Sequence, residues 1–323
     1  MRLSIIICTH NPRADYLCRV LDLLARQTLS KDQWELLLID NASQEPLAGK
    51  WDLSWHPNAK HIAEQTLGLT PARLRGIREA GGDLLVFVDD DNLLAENYLQ
   101  TALDLANERP WLGAFGGSSL GEFEVPVPLD LVFMLPQLAV REITREAWVC
   151  LPGTQALAWA PCGAGMVVRR AVAEMYAKNT RTNPLRLLLD RRGTSLASAG
   201  DSDLALSACE LGLAVGVFPQ LILHHLIPAA RLDRRYLLRL AEAMRRSHIH
   251  LSYVRDASPM TPPGSAIRRS VVFRAVRPIL RLLRRWFAPN FADQFRRAEA
   301  AGARTAFAEL ASLPKPSGHV PPL

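Results

Sequence analysis

One short stretch constrains the fold of this chain more than any other. Five apolar residues, Leu84 to Val88, run without interruption into the carboxylates Asp89, Asp90 and Asp91. A run of this length, rich in Val and Phe, is typical of a central strand in a parallel sheet covered on both faces. Open α/β sheets place their ligands at the carboxyl ends of such strands. The stretch therefore predicts a buried strand that delivers acidic side chains to a ligand site.

The acidic triplet itself has two interpretations. Three adjacent carboxylates repel one another and lower stability unless a cation or ligand donors offset their charge. On an extended segment, residues i and i+2 point the same way, so Asp89 and Asp91 are expected to face one ligand together. The alternative is a solvated acidic turn that caps the helix after it. The triplet alone does not decide between them.

Length and composition indicate a globular protein. A chain of 323 residues with 49% hydrophobic content can bury a large core as one domain, or as a domain with an extension. No run approaches the roughly 18 apolar residues of a membrane-spanning helix, and the first apolar run is too short for a secretory signal. The five cysteines form no Cys-x-x-Cys pair, so neither a disulfide framework nor a zinc site is indicated. We expect a cytoplasmic protein.

The first 117 residues alternate strand and helix patterns. Apolar, β-branched runs predict strands at Leu3 to Cys8, Trp34 to Ile39 and Leu112 to Phe115, the last closing at a Gly-Gly pair. Helical spacing of apolar residues predicts helices over 15–27, 72–80 and 98–109. This order predicts an α/β fold with a Rossmann-like, mostly parallel sheet and helices on both faces. Asp40 closes the second strand, where its alternative role is to open an Asx turn.

The later part of the chain is less regular. Residues 118–160 contain several prolines and are expected to form irregular structure over the site. Met166 to Val168 reads as an edge strand before a helix over 171–177, and strands are expected over 214–218 and 221–223. Asp201 and Asp203 stand at the start of a helix, where capping is the structural alternative to a catalytic role. His225 follows the last strand, and a single His is more often a core or surface residue than a ligand.

Taken in order, these pieces resemble the inverting glycosyltransferases of family 2, which have the GT-A fold. The resemblance covers about residues 1–250, and the combination is specific although no single piece is. It implies a catalytic domain over residues 1–230, with a nucleotide-binding half (1–117) and an acceptor half (118–230), followed by a basic helical extension (231–323). The matching segments are 4–11, 38–43, 68–76, 88–91, 163–170, 200–204 and 225–228, with Arg231.

The resemblance also implies a role for each site residue. Thr9 and Asp40 are expected to hold the nucleotide base, and Arg73, after Ala72, to contact the nucleotide. Asp89 and Asp90 are expected near the ribose, while Asp91 coordinates a divalent cation, Mg²⁺ or Mn²⁺, on the diphosphate. His225 is a candidate for a further metal ligand. Asp201 matches the general base that deprotonates the acceptor hydroxyl for inverting attack.

The partners follow from the same resemblance. The donor is expected to be a nucleotide-diphosphate sugar, with a UDP-sugar as the first expectation. The acceptor is expected to be a glycan or a lipid-linked molecule in polysaccharide or glycolipid assembly. The sequence departs from the family pattern in three places: Gly200 stands where a Glu precedes the base, Ser207 or its neighbours replace a basic residue on the following helix, and Leu74 replaces an Asn.

Two other functions remain alternatives. A phosphatase of the haloacid dehalogenase type needs a small or Thr-type residue after its Asp-x-Asp, whereas Asn92 and Leu93 follow the triplet here. A non-catalytic nucleotide-sugar-binding or assembly protein is expected to have lost Asp91 or Asp201, and both are present.

The basic C-terminal part predicts a separate surface. Residues 231–323 contain 18 Lys and Arg against 6 Asp and Glu, whereas the first 230 residues contain 20 against 26. Between 265 and 287, apolar residues and seven arginines alternate in a way that suits a helix lying on an anionic membrane, here the inner face of the cell membrane. The alternative is a helix packed on the domain or on a second subunit. No nucleic acid partner is expected, because no groove-reading motif accompanies the charge.

Overall fold

The computed structural model of the protein describes residues 2–256 and 290–313. In this part of the chain, nine strands belong to one sheet: β1 (Leu3–Thr9), β2 (Trp34–Asn41), β3 (Ala59–Glu64), β4 (Leu84–Val88), β5 (Asn92–Leu94), β6 (Leu112–Phe123), β7 (Ala147–Val149), β8 (Met166–Arg169) and β9 (Ala214–Ile227). The described α-helices are α1 (Ala14–Ala25), α2 (Leu69–Glu79), α3 (Tyr98–Glu108), α4 (Arg170–Thr182), α5 (Gly200–Glu210), α6 (Arg234–Arg255) and α7 (Phe291–Ser312).

The sheet is mixed, and its longest pairings are parallel. The strand order is β3-β2-β1-β4-β8-β6-β9-β5, with β7 paired to β9. Strands β1 to β4 pair in parallel, as do β6 and β9. Strand β8 is antiparallel to both β4 and β6, and β5 and β7 are antiparallel to β9. The carboxyl ends of β1, β2 and β4 consequently meet at one edge of the sheet.

Helices cover both faces of the sheet. On β1, Ile5 and Ile7 pack with α1 and α3, whereas Ile6 between them packs with α2, α4 and α5. The residues of β4 alternate in the same way and are all buried. A strand buried on both faces has no room for polar side chains, which explains its unbroken apolar run. The predicted fold class, an α/β fold with a mostly parallel sheet, helices on both faces and a helical C-terminal extension, is confirmed.

Three local predictions were wrong. Met166–Arg169 is not an edge strand, because β8 lies between β4 and β6. Strand β6 does not close at Gly116 and Gly117 but continues to Phe123, with an irregularity in its register to β9 at this point. A Cβ on Gly117 would overlap the backbone of Leu221, so this glycine permits a close approach of two strands and does not end one. The two strands expected over 214–223 are one strand that runs through Pro219.

A buried ionic network fixes α5 against α6. The Asp203 carboxylate is fully buried and accepts hydrogen bonds from Arg186 Nη1 at 2.7 and 2.9 Å and from Arg255 Nε at 2.7 Å. Arg255, at the end of α6, also donates to Ser207 Oγ at 3.0 Å and to Glu210 at 2.8 Å. Charged groups buried away from water are stable only when paired in this way. The network therefore sets the position of the helix that carries Asp201.

The C-terminal helices pack on the end of the sheet. Leu237 and Leu240 of α6 and Phe291 of α7 share an apolar cluster with Leu131 and Leu138, from a 3-10 segment at Leu129–Leu138. The boundary expected at residue 230 stays a prediction, and the segment 265–287 that was expected to bind a membrane lies outside the described residues. Among the described helices, none has the length and apolar character needed to cross a bilayer.

His56 supplies a pH-dependent contribution to stability. Its ring is buried against Trp34, with ring centroids 4.0 Å apart, and its Nδ1 accepts from the Asn58 amide at 3.1 Å. Burial, together with the charge of Lys31, lowers the pKa of His56 from 6.5 to about 4. Because the folded protein holds the neutral ring, its stabilising contribution is complete above pH 6.5 and is lost as the pH falls toward 4.

We expect His56→Asn to remove this dependence, since its side-chain oxygen can take the place of Nδ1 without titrating. The measurement is the free energy of unfolding of the parent and the variant between pH 8 and pH 4. The parent should lose its advantage over the variant as the pH falls through this window. A difference between the two proteins that is constant across the window would contradict the assignment.

Candidate active site

The candidate site is a cavity of about 400 Å³ at the carboxyl edge of β1, β2 and β4. Thr9 ends β1, Asn41 ends β2, and the acidic triplet follows β4, and all of them line the cavity. Its volume is within the range of about 300 to 1,000 Å³ that is common for small-molecule sites. The parallel pairing of the strands is thus the reason that residues far apart in the chain meet here.

The acidic triplet forms a turn rather than an extended segment. The Asn92 amide donates to the Asp89 carbonyl at 3.1 Å, and the Asn92 side chain accepts from the Asp89 amide at 3.1 Å. Asn92 Nδ2 also donates to Asp91 Oδ1 at 3.0 Å. The expected alternation of side chains is therefore wrong for this segment, because the turn brings Asp89, Asp90 and Asp91 to the same cavity. The fully buried Asn92 holds the turn in place.

The surroundings of the triplet shift the pKa values of its three carboxyl groups. Burial, with the nearby charge of Asp91, raises the pKa of Asp89, and the same two causes raise the pKa of Asp90 to about 7. Thr9 Oγ1 donates a hydrogen bond to Asp90 Oδ2. Burial alone would raise the pKa of Asp91, but His225, Arg231 and Arg191 together lower it. Asp91 is thus the member of the triplet whose negative charge is best stabilised.

Asp91 and His225 fit a divalent cation that a ligand completes. His225 Nε2 lies 3.3 Å from Asp91 Oδ2, and the other ring nitrogen of His225 is buried without a hydrogen-bond partner. Within residues 2–256 and 290–313, no cluster of three or more His, Cys, Asp or Glu could hold a metal by itself. Mg²⁺ and Mn²⁺ sites commonly use one or two protein ligands together with water and phosphate oxygens. The donor set therefore suits a cation bound together with a diphosphate.

Asp40 is the one predicted site residue that the cavity lining does not include. Its two carboxylate oxygens accept from the backbone amides of Ser43 at 3.1 Å and Leu47 at 3.0 Å. This is the turn-forming alternative that the sequence left open. Its neighbour Asn41 lines the cavity instead, where its side chain accepts from the Gly68 amide and donates to the Thr66 carbonyl, both at 2.8 Å.

Arg73 lies in the cavity wall as one half of a buried ion pair. Its Nη1 is 2.7 Å from Asp190 Oδ2, and only 4% of Arg73 and 5% of Asp190 are exposed. Thr70 Oγ1 donates to the same Asp190 oxygen at 3.0 Å. Burial alone would lower the pKa of Arg73, but Asp190 and Asp201 raise it above its ordinary value. Burial raises the pKa of Asp190, with Arg73 acting in the opposite direction.

Asp201 is half-buried in the first turn of α5 and lines the cavity. Its Oδ2 accepts from the Gly163 amide at 2.9 Å, and its Oδ1 accepts from the Ser202 amide at 2.8 Å. Both bonds come from the backbone, so they orient the carboxylate without adding a side-chain charge. A carboxylate has about four acceptor positions, which leaves Asp201 able to accept a further proton donor.

Sequence reasoning missed several cavity residues. Asp190, Arg191 and Arg192 form part of the lining, as do His10 and Ser198. The three charged residues follow the apolar residues Leu187 to Leu189 directly, a transition similar to the one at the acidic triplet, and this signal could have found them. His10 and Ser198 carry no comparable signal.

Known proteins resemble this chain in sequence and in fold. Residues 4–142 match the model of "Glycosyl transferase family 2". The "Uncharacterized glycosyltransferase YwdF" of Bacillus subtilis is 31% identical over 100 residues, which are 31% of this chain and 36% of that protein. The chain superposes on the structure of the mannosyltransferase PcManGT from Pyrobaculum calidifontis, in complex with GDP-Man and Mn²⁺, with a TM-score of 0.58 at 17% identity. The superposition covers 95% of this chain and 87% of the PcManGT chain. TarS of S. aureus (residues 1–349) gives a TM-score of 0.48 at 15% identity, over 96% of this chain and 91% of the TarS chain.

Residues 4–142 of the chain match the glycosyltransferase family 2 model, and the chain has the GT-A fold. The resemblance predicted from the order of the sequence motifs is confirmed over these residues. The matched part spans about a third of the B. subtilis relative, and the likeness to PcManGT concerns the fold.

We expect Asp91→Asn to weaken the binding of UDP in the presence of Mn²⁺ by about tenfold or more, because the variant loses the carboxylate charge next to His225. His225→Ala should act in the same direction. The measurement is calorimetric titration with UDP, with Mn²⁺ and again with EDTA. Asp104→Asn, at an exposed position on α3, is the control and should bind as the parent does. If Asp91→Asn bound UDP with Mn²⁺ as tightly as the parent, the metal assignment would be wrong, and unchanged metal dependence in His225→Ala would remove His225 from it.

Proposed function

We propose that the protein is an inverting glycosyltransferase that moves a sugar from a nucleotide-diphosphate sugar to an acceptor hydroxyl. The observation that carries the proposal is a single cavity that contains both the Asp91–His225 pair and the Asp201 carboxylate. The pair suits a diphosphate-bound cation, and the carboxylate suits a general base. The family 2 domain and the GT-A fold support the same function.

Asp201 is the proposed base. Its carboxylate is held by the Gly163 and Ser202 amides and accepts the proton of the acceptor hydroxyl. The hydroxyl oxygen forms a bond to the anomeric carbon as the bond from that carbon to the phosphate oxygen breaks. The nucleotide diphosphate leaves with the bonding electrons from the face opposite the acceptor. A single displacement of this kind inverts the configuration at the anomeric carbon.

Cationic groups at the cavity suit the leaving diphosphate. Arg191, Arg192 and Arg231 all line the cavity, and Arg231 Nη2 is 3.8 Å from Asp91 Oδ2. A bound Mg²⁺ or Mn²⁺ would neutralise charge on the departing diphosphate. We propose that Asp91 and His225 hold this cation, while Asp89, Asp90 and Thr9 contact the nucleoside part of the donor. PcManGT, which shares the fold, was solved with GDP-Man and Mn²⁺.

The nucleotide base of the donor and the identity of the acceptor are less well defined by the cavity. A UDP-sugar remains the first donor proposed, and GDP-sugars belong in the same test. For the acceptor we propose a glycan or a lipid-linked molecule in polysaccharide or glycolipid assembly. The 3-10 segment whose Leu138 lines the cavity also presents Leu129, Val132 and Phe133 to solvent, and these apolar side chains would suit a lipid-linked acceptor at the inner face of the cell membrane.

The alternatives have less support. The family match and the fold give no support to a phosphatase of the haloacid dehalogenase type. A non-catalytic sugar-nucleotide-binding protein would not need a carboxylate oriented as Asp201 is. Incubation of the parent with UDP- and GDP-sugars and Mn²⁺ tests the proposal directly, since donor transfer to water releases the nucleotide diphosphate. A protein that neither binds UDP or GDP nor releases them from any donor would contradict it.

Asp201→Asn is expected to keep donor affinity and lower turnover by about 10² to 10⁴-fold, the usual contribution of a positioned base. The measurement pairs calorimetric binding of UDP or GDP with the rate of nucleotide release from the best donor. Asp104→Asn is again the control and should match the parent in both assays. A variant that lost donor binding and showed no separate loss of turnover would give Asp201 a different role.

A further inference from the structure

The atoms around residue 200, and not its backbone conformation, require a glycine at this position. Gly200 is the first residue of α5, and it is not one of the described glycines with a positive φ, so an L-residue could adopt its backbone conformation. A Cβ built on Gly200 would lie 2.7 Å from Asp190 Oδ1 and closer still to the other two atoms of the carboxyl group. The Asp190 carboxylate therefore occupies the space that a side chain before Asp201 would take.

The Asp190 carboxylate holds the Arg73 guanidinium in an ion pair. Arg73 Nη1 donates to Asp190 at 2.7 Å, and Thr70 supports the same oxygen. Arg73 also lies close to Asp201. A Cβ built on Gly163 would be 3.1 Å from Arg73 Nη2 and 3.3 Å from Asp201 Oδ2, so both groups border the same point. Arg73 is paired with Asp190, while Asp201 accepts from backbone amides.

We propose that Asp190 is a positioning residue for the transfer reaction, which holds the Arg73 guanidinium in an ion pair and so leaves the Asp201 carboxylate free to accept a proton. The inference rests on the proposed transferase function. Without the charge of Asp190, a carboxylate that still borders Arg73 in this wall of the cavity is Asp201. An ion pair between them would make Asp201 a weaker base, because a nearby cation stabilises the ionised carboxylate.

The geometry indicates that a carboxylate on residue 200 could take the place of the carboxylate on Asp190. A carboxyl carbon on residue 200 would be about 1.5 Å from its Cβ, and all three atoms of the Asp190 carboxyl group lie within 2.7 Å of that Cβ. The double variant Asp190→Ala with Gly200→Asp should therefore place a carboxylate near Arg73 again. Gly200→Asp alone should overlap Asp190 and lower stability.

The test compares nucleotide release from the best donor in the parent and in Asp190→Asn, with kcat and KM determined separately. We expect Asp190→Asn to lower kcat by roughly 10- to 100-fold, a share of the contribution of the base, with a much smaller change in donor KM. Thr70→Val should lower kcat in the same direction by less, and it provides a second variant if Asp190→Asn does not fold.

Glu35→Gln is the control for loss of a structural carboxylate. Glu35 accepts from Ser4 Oγ at 2.7 Å and lies on β2 before its buried middle, at the opposite edge of the sheet from the cavity. This variant should lose stability and keep kcat. The double variant Asp190→Ala with Gly200→Asp should recover much of the kcat that Asp190→Ala loses, which a purely structural role of Asp190 would not predict.

The outcomes separate the two proposals. A parent that releases no nucleotide from any donor would contradict the proposed function. An active parent whose Asp190→Asn variant folds and keeps its kcat would overturn the inference about Asp190 alone. An active parent whose double variant is no faster than Asp190→Ala would also overturn it, provided that thermal unfolding shows the double variant to be folded.

Discussion

The structure around the cavity depends on how negative charge buried at one edge of the sheet is balanced. Asp89, Asp90 and Asp91 follow β4, and Asp190 and Asp201 complete the acidic lining. Burial of carboxylates costs free energy unless cations or hydrogen bonds compensate. Asp190 has Arg73, Asp91 has His225 and Arg231, and Asp201 has two backbone amides. Asp89 and Asp90, with raised pKa values, are the members with the least compensation, and a cation in the cavity would relieve them.

At two of the positions that depart from the family 2 pattern, a charged group from another segment of the chain lies close by. Gly200 lacks the expected carboxylate, and the carboxyl group of Asp190 lies where a side chain on Gly200 would be. Ser207 lacks the expected basic group, and the guanidinium of Arg255 lies 3.0 Å from its hydroxyl. In both cases a charge reaches the position from a different segment. The C-terminal helix α6 is thereby part of the support for α5, although the sequence alone treats the part of the chain after residue 230 as an extension.

Much of the fold followed from the sequence because its patterns are local. Strands β1, β2 and β4 and helices α1 to α3 were predicted within a few residues, since burial on both faces leaves long apolar runs and helices repeat at a fixed spacing. The pairing of β8 between β4 and β6 was not predictable, because a four-residue strand carries no information about its neighbours. The continuation of β6 past Gly116 and Gly117 depends on a close approach to β9, which is a tertiary contact.

The candidate site was predictable to the extent that its residues end strands. Asp91 and Asp201, which the resemblance to family 2 singled out, both line the cavity. Asp91 belongs to the acidic run after an apolar strand, and Asp201 stands in the first turn of a helix. Asp40 has the same kind of position, yet its carboxylate is used by the Ser43 and Leu47 amides of its own turn. Asp190 follows an apolar run that could have drawn attention to it, but its ion-pair partner Arg73 lies 117 residues away in the chain and no local pattern predicts that pairing. Local sequence therefore indicates where charged residues stand but not which partners they take.

The most direct measurement is a crystal structure of the protein grown with UDP or GDP and Mn²⁺, with anomalous scattering recorded to locate the manganese. We expect one strong anomalous peak in the cavity, with Asp91 Oδ2 and His225 Nε2 in its coordination sphere and the diphosphate completing it. The Asp201 carboxylate should remain on the Gly163 and Ser202 amides and face the space beside the diphosphate. A nucleotide bound outside this cavity, or manganese bound without contact to Asp91, would show that this is not the donor site.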